Sequence, residues 1–344
     1  MSKQHTNFLD ELSDLFDENI LVTDGSKLDV ISTGITSLDA SIGAGGIPRG
    51  RITEIFGVEG AGKTTLALGI SKNANNNNLK VLYVDVENML DYDYARALVG
   101  NLDKDKFIIV QPDTAEDSLE IAGKGILSGE FGLIVIDSIG ALAPKKEKEG
   151  EFEDQNYALV PRLITKFLRI YAYKMRTNNV AVLMINQVRD NIGSYVKSFS
   201  TPGGHALKHY ASLIIQLKKG EQIKAGSEVI GINVVFTVTK NKLSAPYRSA
   251  IIPIMFGTGV DEIRDLISFA EMAGVLQKSG AYYKFGDITL GRGMVASIKF
   301  LNSYPETIDK IKEACYNITV DGNKEDKEVD ILPTNDNNDD YDWH

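Results

Sequence analysis

One cysteine, Cys315, stands in a chain of 344 residues, with four histidines and one tryptophan. A lone thiol excludes an internal disulfide and any four-cysteine zinc site, and four scattered histidines leave little material for a structural metal. A reducing cytoplasm is the expected compartment. No apolar run approaches the roughly 18 residues of a membrane span. The opening residues, Met1-Ser2-Lys3-Gln4-His5-Thr6-Asn7, lack the charged-then-apolar form of a signal peptide, so neither insertion nor export is expected. No internal repeat is present. What the chain does have is 43% hydrophobic residues, enough for a large core in one domain with appendages or in two domains.

Acidic residues are nearly missing from one band. Between 161 and 220, Arg162, Lys166, Arg169, Lys174, Arg176, Arg189, Lys197, Lys208, Lys218 and Lys219 face the single acid Asp190, a net of +9 in a chain of net −10. The opposite excess lies in residues 321 to 344, where Asp321, Glu325, Asp326, Glu328, Asp330, Asp336, Asp339, Asp340 and Asp342 outweigh Lys324 and Lys327 for a net of −7. Low complexity and like charge make that stretch an expected disordered acidic tail. The basic band points to a polyanionic partner.

The octapeptide Gly57-Val58-Glu59-Gly60-Ala61-Gly62-Lys63-Thr64 has the Gly-x4-Gly-Lys-Thr spacing of a loop that wraps its backbone around a polyphosphate. Its glycines let successive N–H groups converge on phosphate oxygens, Lys63 adds a charge near the β- and γ-phosphates, and Thr64 offers a hydroxyl to Mg²⁺. A strand pattern, Arg51 to Phe56, precedes the loop, and a helical pattern opens with Thr65, which is counted with the same site. ATP with Mg²⁺ is the expected ligand.

From Leu79 to Gln187 short apolar runs alternate with helical stretches, which implies a mostly parallel sheet flanked by helices. In such sheets ligands gather at the carboxyl ends of the strands. Asp137 ends the run Leu133 to Ile136, the form expected of a carboxylate that holds the Mg²⁺ water shell opposite Thr64. Glu87 lies just past the run Leu82 to Val86, where it could activate a water or merely cap a helix. Gln187 ends the run Ala181 to Asn186 and could sense the γ-phosphate or be a satisfied strand-end amide. The segment 189 to 204 lacks periodicity and carries Arg189, Ile192, Tyr195, Lys197 and Phe199. It reads as a loop that could stack on bases and neutralise phosphates of a single strand. The helical pattern before it sets Arg162, Lys166 and Arg169 on one stripe and Leu163, Ile164, Phe167, Ile170 and Tyr171 mainly on another.

Longer strands follow, at 213 to 218, 229 to 240 and 249 to 256, as an antiparallel extension. A smaller module begins past Gly259, with a helix near Asp261 to Ala273, a hairpin-like region from Gly280 to Gly291, and an amphipathic helix from Pro305 to about Tyr316. At the other end, Phe8, Leu9, Leu12, Leu15 and Phe16 form one helical face, suited to fold back or to dock on a neighbouring subunit. The expected organisation is an oligomerisation arm over 1–27, an ATPase and DNA-binding core over 28–259, a small α+β domain over 260–320, and the tail over 321–344.

Across about residues 28 to 316 the chain resembles the bacterial RecA-type recombinases. The resemblance is carried by Ile31-Ser32-Thr33-Gly34 with Ser37-Leu38-Asp39, Gly43-Ala44-Gly45-Gly46-Ile47-Pro48, the phosphate loop, Asp85-Val86-Glu87-Asn88-Met89-Leu90-Asp91, Gln111-Pro112-Asp113-Thr114, Asp137-Ser138, Asn186-Gln187-Val188-Arg189, Gly203-Gly204-His205-Ala206-Leu207-Lys208 and Lys240-Asn241-Lys242. It implies a RecA-type α/β P-loop ATPase core that binds single-stranded DNA, assembles into a helical filament, and exchanges strands with homologous duplex. Single-strand-binding or loading proteins are possible further partners. By the same resemblance Glu87 is the catalytic base, Gln187 the γ-phosphate switch, and Asp91 with Tyr94 the adenine contacts. Loops at about 149 to 158 and 189 to 204, with Gly203, Gly204 and Lys208, bind DNA, and Lys240 and Lys242 complete the ATP site of the next subunit. Departures are Val58 and Gly60-Ala61 in place of the usual Pro and Ser-Ser, Asp190-Asn191 after Arg189, and His209 in place of an aromatic residue. A hexameric DNA-unwinding motor and an ATP-switched regulatory binding protein are the alternatives on the residues alone.

Overall fold

The computed structural model describes residues 28–100, 102–149, 159–190, 199–200 and 204–322. The oligomerisation arm expected over 1–27 lies outside them. β1 (Val30–Ile31) and β2 (Ile47–Pro48) pair antiparallel on either side of α1 (Thr36–Ile42). The alternating section then unfolds as β3 (Ile52–Gly57), α2 (Lys63–Asn76), β4 (Lys80–Asp85), α3 (Tyr92–Val99), β5 (Phe107–Val110), α4 (Ala115–Ser128), β6 (Phe131–Asp137), α5 (Lys145–Glu149), α6 (Leu159–Thr177) and β7 (Ala181–Gln187). Next come β8 (Arg189–Asp190), β9 (Phe199–Ser200), α7 (Gly204–Tyr210), β10 (Leu213–Ala225), β11 (Glu228–Asn241), β12 (Ser249–Met255) and β13 (Gly259–Val260).

Nine strands form one sheet in the order β13-β12-β11-β10-β3-β7-β6-β4-β5. From β10 to β5 every neighbouring pair is parallel, and β11, β12 and β13 extend the sheet antiparallel. Helices cover both faces: Leu66, Leu68, Ala95 and Leu98 of α2 and α3 pack on one, and Leu119, Ile126, Phe167, Leu168 and Leu207 of α4, α6 and α7 on the other. Two-sided burial explains why Leu133 to Ile136 and Ala181 to Ile185 are continuous apolar runs rather than alternating ones. Local chemistry sets the helix starts. Asp91 accepts hydrogen bonds from the Asp93 and Tyr94 amides at α3, and the Thr114 hydroxyl accepts from the Asp117 amide at α4. No helix among the described residues is long and apolar enough to cross a membrane.

The C-terminal unit contains α8 (Glu262–Met272), a three-stranded antiparallel sheet of β14 (Gln277–Ser279), β15 (Tyr282–Phe285) and β16 (Ile288–Arg292), then α9 (Gly293–Ser303) and α10 (Pro305–Gly322). Its core gathers Leu266, Phe269, Leu276, Tyr283, Leu290, Leu301 and Ile311. A buried polar clamp joins it to the core domain: Asp265 of α8 accepts from both the amide and the hydroxyl of Ser37 on α1.

Three readings of the sequence change here. α9 was not visible because its apolar residues do not share one face; Val295 is 77% exposed whereas Leu301 is buried. α10 continues to Gly322, two residues into the segment assigned to the acidic tail, because no breaker intervenes after Tyr316. The segment 189 to 204 is closed at its base by a short antiparallel pair, with Arg189 opposite Ser200 and Asp190 opposite Phe199, which a search for periodicity misses in strands of two residues.

Candidate nucleotide site

Four strands end at one rim of the sheet and bring the polar ends together. β3 runs into the phosphate loop, β4 leads to Glu87, β6 ends on Asp137 and β7 on Gln187. Register fixes the neighbours: Gln187 is opposite Gly57, and Asp137 opposite Asp85. Between them opens a cavity of about 370 Å³, lined by Glu59, Gly60, Gly62, Lys63, Thr64, Thr65, Glu87, Tyr94, Asp137 and Gln187, and also by Ile232, Ile254, Met255, Phe256 and Gly257. Gly62 has φ +81, and a Cβ there would stand 2.4 Å from Ile254 Cδ1. The positive φ favours glycine at that turn, and any larger residue would also displace the Ile254 methyl.

Lys63 is buried, with its ammonium donating to the carbonyls of Gly57 at 3.0 Å and Val58 at 2.8 Å. Burial pulls its proton affinity below the usual lysine range, against the opposing pull of Asp137, Glu87 and Glu59. The Thr64 hydroxyl donates to Asp137 Oδ2 at 2.8 Å, and the buried Tyr83 hydroxyl donates to the same oxygen at 2.7 Å. Burial raises the Asp137 carboxyl despite those two donors. It raises the Tyr83 hydroxyl further, and the neighbouring Asp137 adds to that.

Glu87 is not a free surface acid. One carboxylate oxygen, Oε1, accepts from the Ser138 hydroxyl at 2.5 Å and from the Gln187 side-chain amide at 2.7 Å. The expected base and the expected γ-phosphate sensor are therefore directly bonded. Behind them, Asn186 donates to the buried Glu54 at 2.8 Å and accepts from the Gln187 amide, while Asp85 holds the turn carrying Glu87 by accepting from the Leu90 amide and from Gln111. Burial raises the Glu54 carboxyl, with Asn186, Lys208 and Lys240 acting the other way.

Oxygen donors at Thr64 and Asp137 suit a hard cation such as Mg²⁺. No cluster of three or more His, Cys, Asp or Glu side chains among the described residues could hold a metal by itself.

Other expected residues fall unevenly. Tyr94 reaches the cavity, where its hydroxyl meets that of Thr65 at 2.8 Å; Asp91 instead caps α3. Lys240 and Lys242 stay out of the cavity and donate to carbonyls at the end of α7, Lys240 to Lys208 and His209, Lys242 to His209. On α6, Arg162, Lys166 and Arg169 line an open groove of about 580 Å³ with Pro161, Thr165 and Ile170. Ile170, placed by its spacing on the apolar stripe, is 52% exposed because the core contacts of α6 run through Ile164, Phe167, Leu168 and Met175. Gly204 begins α7 against Pro161, and Lys208 is half-buried there, its charge acting on Glu54. Ile192, Tyr195, Lys197, Gly203 and the 150–158 loop lie outside the described residues; Arg189 and Phe199 are placed by backbone, in β8 and β9.

Sequence reasoning missed Tyr83, Ser138 as a partner of Glu87, and Phe256, which is 58% exposed in the cavity wall. Phe256 follows the last long strand, so its distance from the phosphate loop depends on sheet order and left no local signal.

Comparison with known proteins agrees with this geometry. The family model of the RecA N-terminal domain matches residues 14–261, and that of the RecA C-terminal domain residues 264–317. The chain belongs to the RecA family of recombinases. It is 43% identical to Protein RecA of Thermus aquaticus over 288 residues, 83% of this chain and 84% of that protein. With Protein RecA of Clostridioides difficile (strain 630) the identity is 40% over 296 residues, 85% of this chain and 84% of that one. The crystal structure of the RadB recombinase shares the fold at a TM-score of 0.51 and 24% identity, over 67% of this chain and 98% of that chain. The two family models thus meet between residues 261 and 264, where α8 begins.

Proposed function

We propose that this RecA-family recombinase is a cytoplasmic DNA-dependent ATPase. In its ATP state it polymerises on single-stranded DNA, pairs that strand with homologous duplex, and releases DNA after hydrolysis. The observation that carries the reading is Glu87 Oε1, shared between Ser138 and Gln187 beside Lys63 and Thr64. Loop amides and Lys63 bind the triphosphate, and the adenine lies against Tyr94, with Phe256 a further apolar lining residue. Thr64 and Asp137 hold Mg²⁺, whose bound charge offsets that of the phosphates. Glu87 accepts a proton from the attacking water. The Gln187 side-chain amide carries two N–H donors: turning it toward a γ-phosphate oxygen draws it away from Glu87 Oε1, which then takes that proton, and its movement passes through Val188 into β8. One hydrogen bond thereby couples nucleotide state to the DNA-binding segment.

Lys240 and Lys242, remote from their own cavity, serve the ATP site of the next subunit in the filament. Arg162, Lys166 and Arg169, with the 189 to 204 segment, neutralise DNA phosphates. The ATPase rate with and without single-stranded DNA tests the reading. Stimulation is expected, and a rate indifferent to DNA overturns it in favour of a switch protein that binds another partner. Images of the ATP–DNA complex should show filaments; closed rings would support the motor alternative.

A further inference from the structure

We propose that Lys219 is an additional triphosphate-binding residue, lying across the phosphate loop at Gly60. The inference rests on the nucleotide reading above and adds a cation to that site. β10 runs alongside β3 as far as Leu217, which is opposite Gly57. Residues two apart on a strand point to the same face. Leu217 is buried in the cluster that holds Leu66 and Ala67 behind the phosphate loop, so Lys219 emerges on that same face, just past the last residue that β3 pairs. There its Cα is opposite Val234, whose side chain borders Gly62.

The ammonium ends over the loop. A Cβ on Gly60 would stand 3.0 Å from Lys219 Nζ and 3.2 Å from Cε. Gly60 has φ +67 and no side chain, at a position where the RecA-type pattern usually has serine, so the lysine head occupies space that a side chain would contest. Lys219 is exposed, and no ion pair among the described residues engages it. Its charge opposes that of Lys63. Lys63 lines the cavity and Lys219 lies over Gly60, one of its lining residues, and two like charges beside the same loop favour a multiply charged anion. A triphosphate has that charge.

The test uses the full chain and a fluorescent ATP analogue, with ATP and ADP as competitors. Lys219→Ala should raise the Kd and KM for ATP by roughly two- to fivefold and leave kcat within about 1.5-fold, the pattern of lost ground-state binding by an exposed cation. Lys219→Arg should recover most of the affinity, and the loss should shrink as salt rises. Lys63→Ala is the reference. Unchanged ATP affinity in Lys219→Ala, with binding lost in Lys63→Ala, would overturn the proposal, as would a Lys219→Ala defect confined to DNA affinity. ATP affinity surviving in Lys63→Ala would instead sink the nucleotide reading itself.

Discussion

The strand-end cavity and the outer face of α6 both concentrate charge, yet they hold it in opposite ways. In the cavity, Lys63, Asp137 and Glu87 are fixed by one another's neighbours, and burial shifts the protonation of Lys63, Asp137 and Tyr83. On α6, Arg162, Lys166 and Arg169 stand exposed along a groove. Phosphoryl transfer needs groups held in place before the reaction, whereas binding a polyanion needs mainly a count of cations. A substitution in the cavity should therefore act as a switch, and one on α6 as a graded loss.

The largest effect expected is in the cavity. Lys63→Ala should abolish nucleotide-dependent DNA binding, while Glu87→Gln keeps ATP bound and slows turnover by at least ~10²-fold, the range of a removed general base. Steady-state ATPase and equilibrium ATP binding separate the two; a Glu87→Gln enzyme with the parental rate would mean another group is the base.

Next comes the link between the regions. Gln187→Ala should bind ATP yet lose the ATP-induced rise in DNA affinity, a coupling of about 5- to 150-fold in ordinary allosteric proteins. Oligonucleotide titrations with and without a non-hydrolysable ATP analogue measure it. An unchanged affinity ratio removes Gln187 from the pathway.

On α6 the losses should be smaller and additive. Arg162→Ala and Arg169→Ala should each weaken single-strand binding at low salt and lower the slope of log affinity against log salt by about 0.7, with ATP affinity in the absence of DNA unchanged. A salt slope identical to the parent would take that residue off the DNA path and break the comparison.

A last effect lies apart from both regions and concerns buried carboxyls. Asp39 accepts from Ser32 and Thr33, and Asp265 from Ser37, where α1 meets α8. Burial pushes Asp39 up to about 7 and Asp265 to about 6, from an ordinary 3.8. Protonated carboxyls are thus favoured in the folded state. Their contribution to stability is complete below the unfolded value and is lost as pH rises toward 6 for Asp265 and 7 for Asp39. Thermal melts of Asp39→Asn between pH 4 and 8 should fall less steeply with pH than those of the parent. Parallel curves would show that the carboxyl titrates alike folded and unfolded.

The legible parts of the molecule were those written in short range. Spacing marked the phosphate loop and the polar strand ends at Asp137 and Gln187, and periodicity located β4, α3, β5 and α6 to within a residue or two. Charge counting found the α6 face but put Ile170 on its buried side, since periodicity gives a helix's stripes without saying how wide its packed contact is.

By itself the sequence determined that a loop with phosphate-binding spacing lies between strand and helix, that a carboxylate follows at a strand end, and that a basic band lies on an acidic protein. These are properties of neighbouring residues, set by glycine conformation, backbone donors and hydropathy. Only the tertiary structure decided that Glu87 meets Ser138, 51 residues away, and Gln187, 100 residues away, that Phe256 lines the cavity, and that Lys219 overhangs Gly60. Those meetings follow from the order β12-β11-β10-β3-β7-β6-β4 in the sheet. Strand order is chosen by burial of both faces and by backbone pairing across the whole chain, so no local pattern contains it.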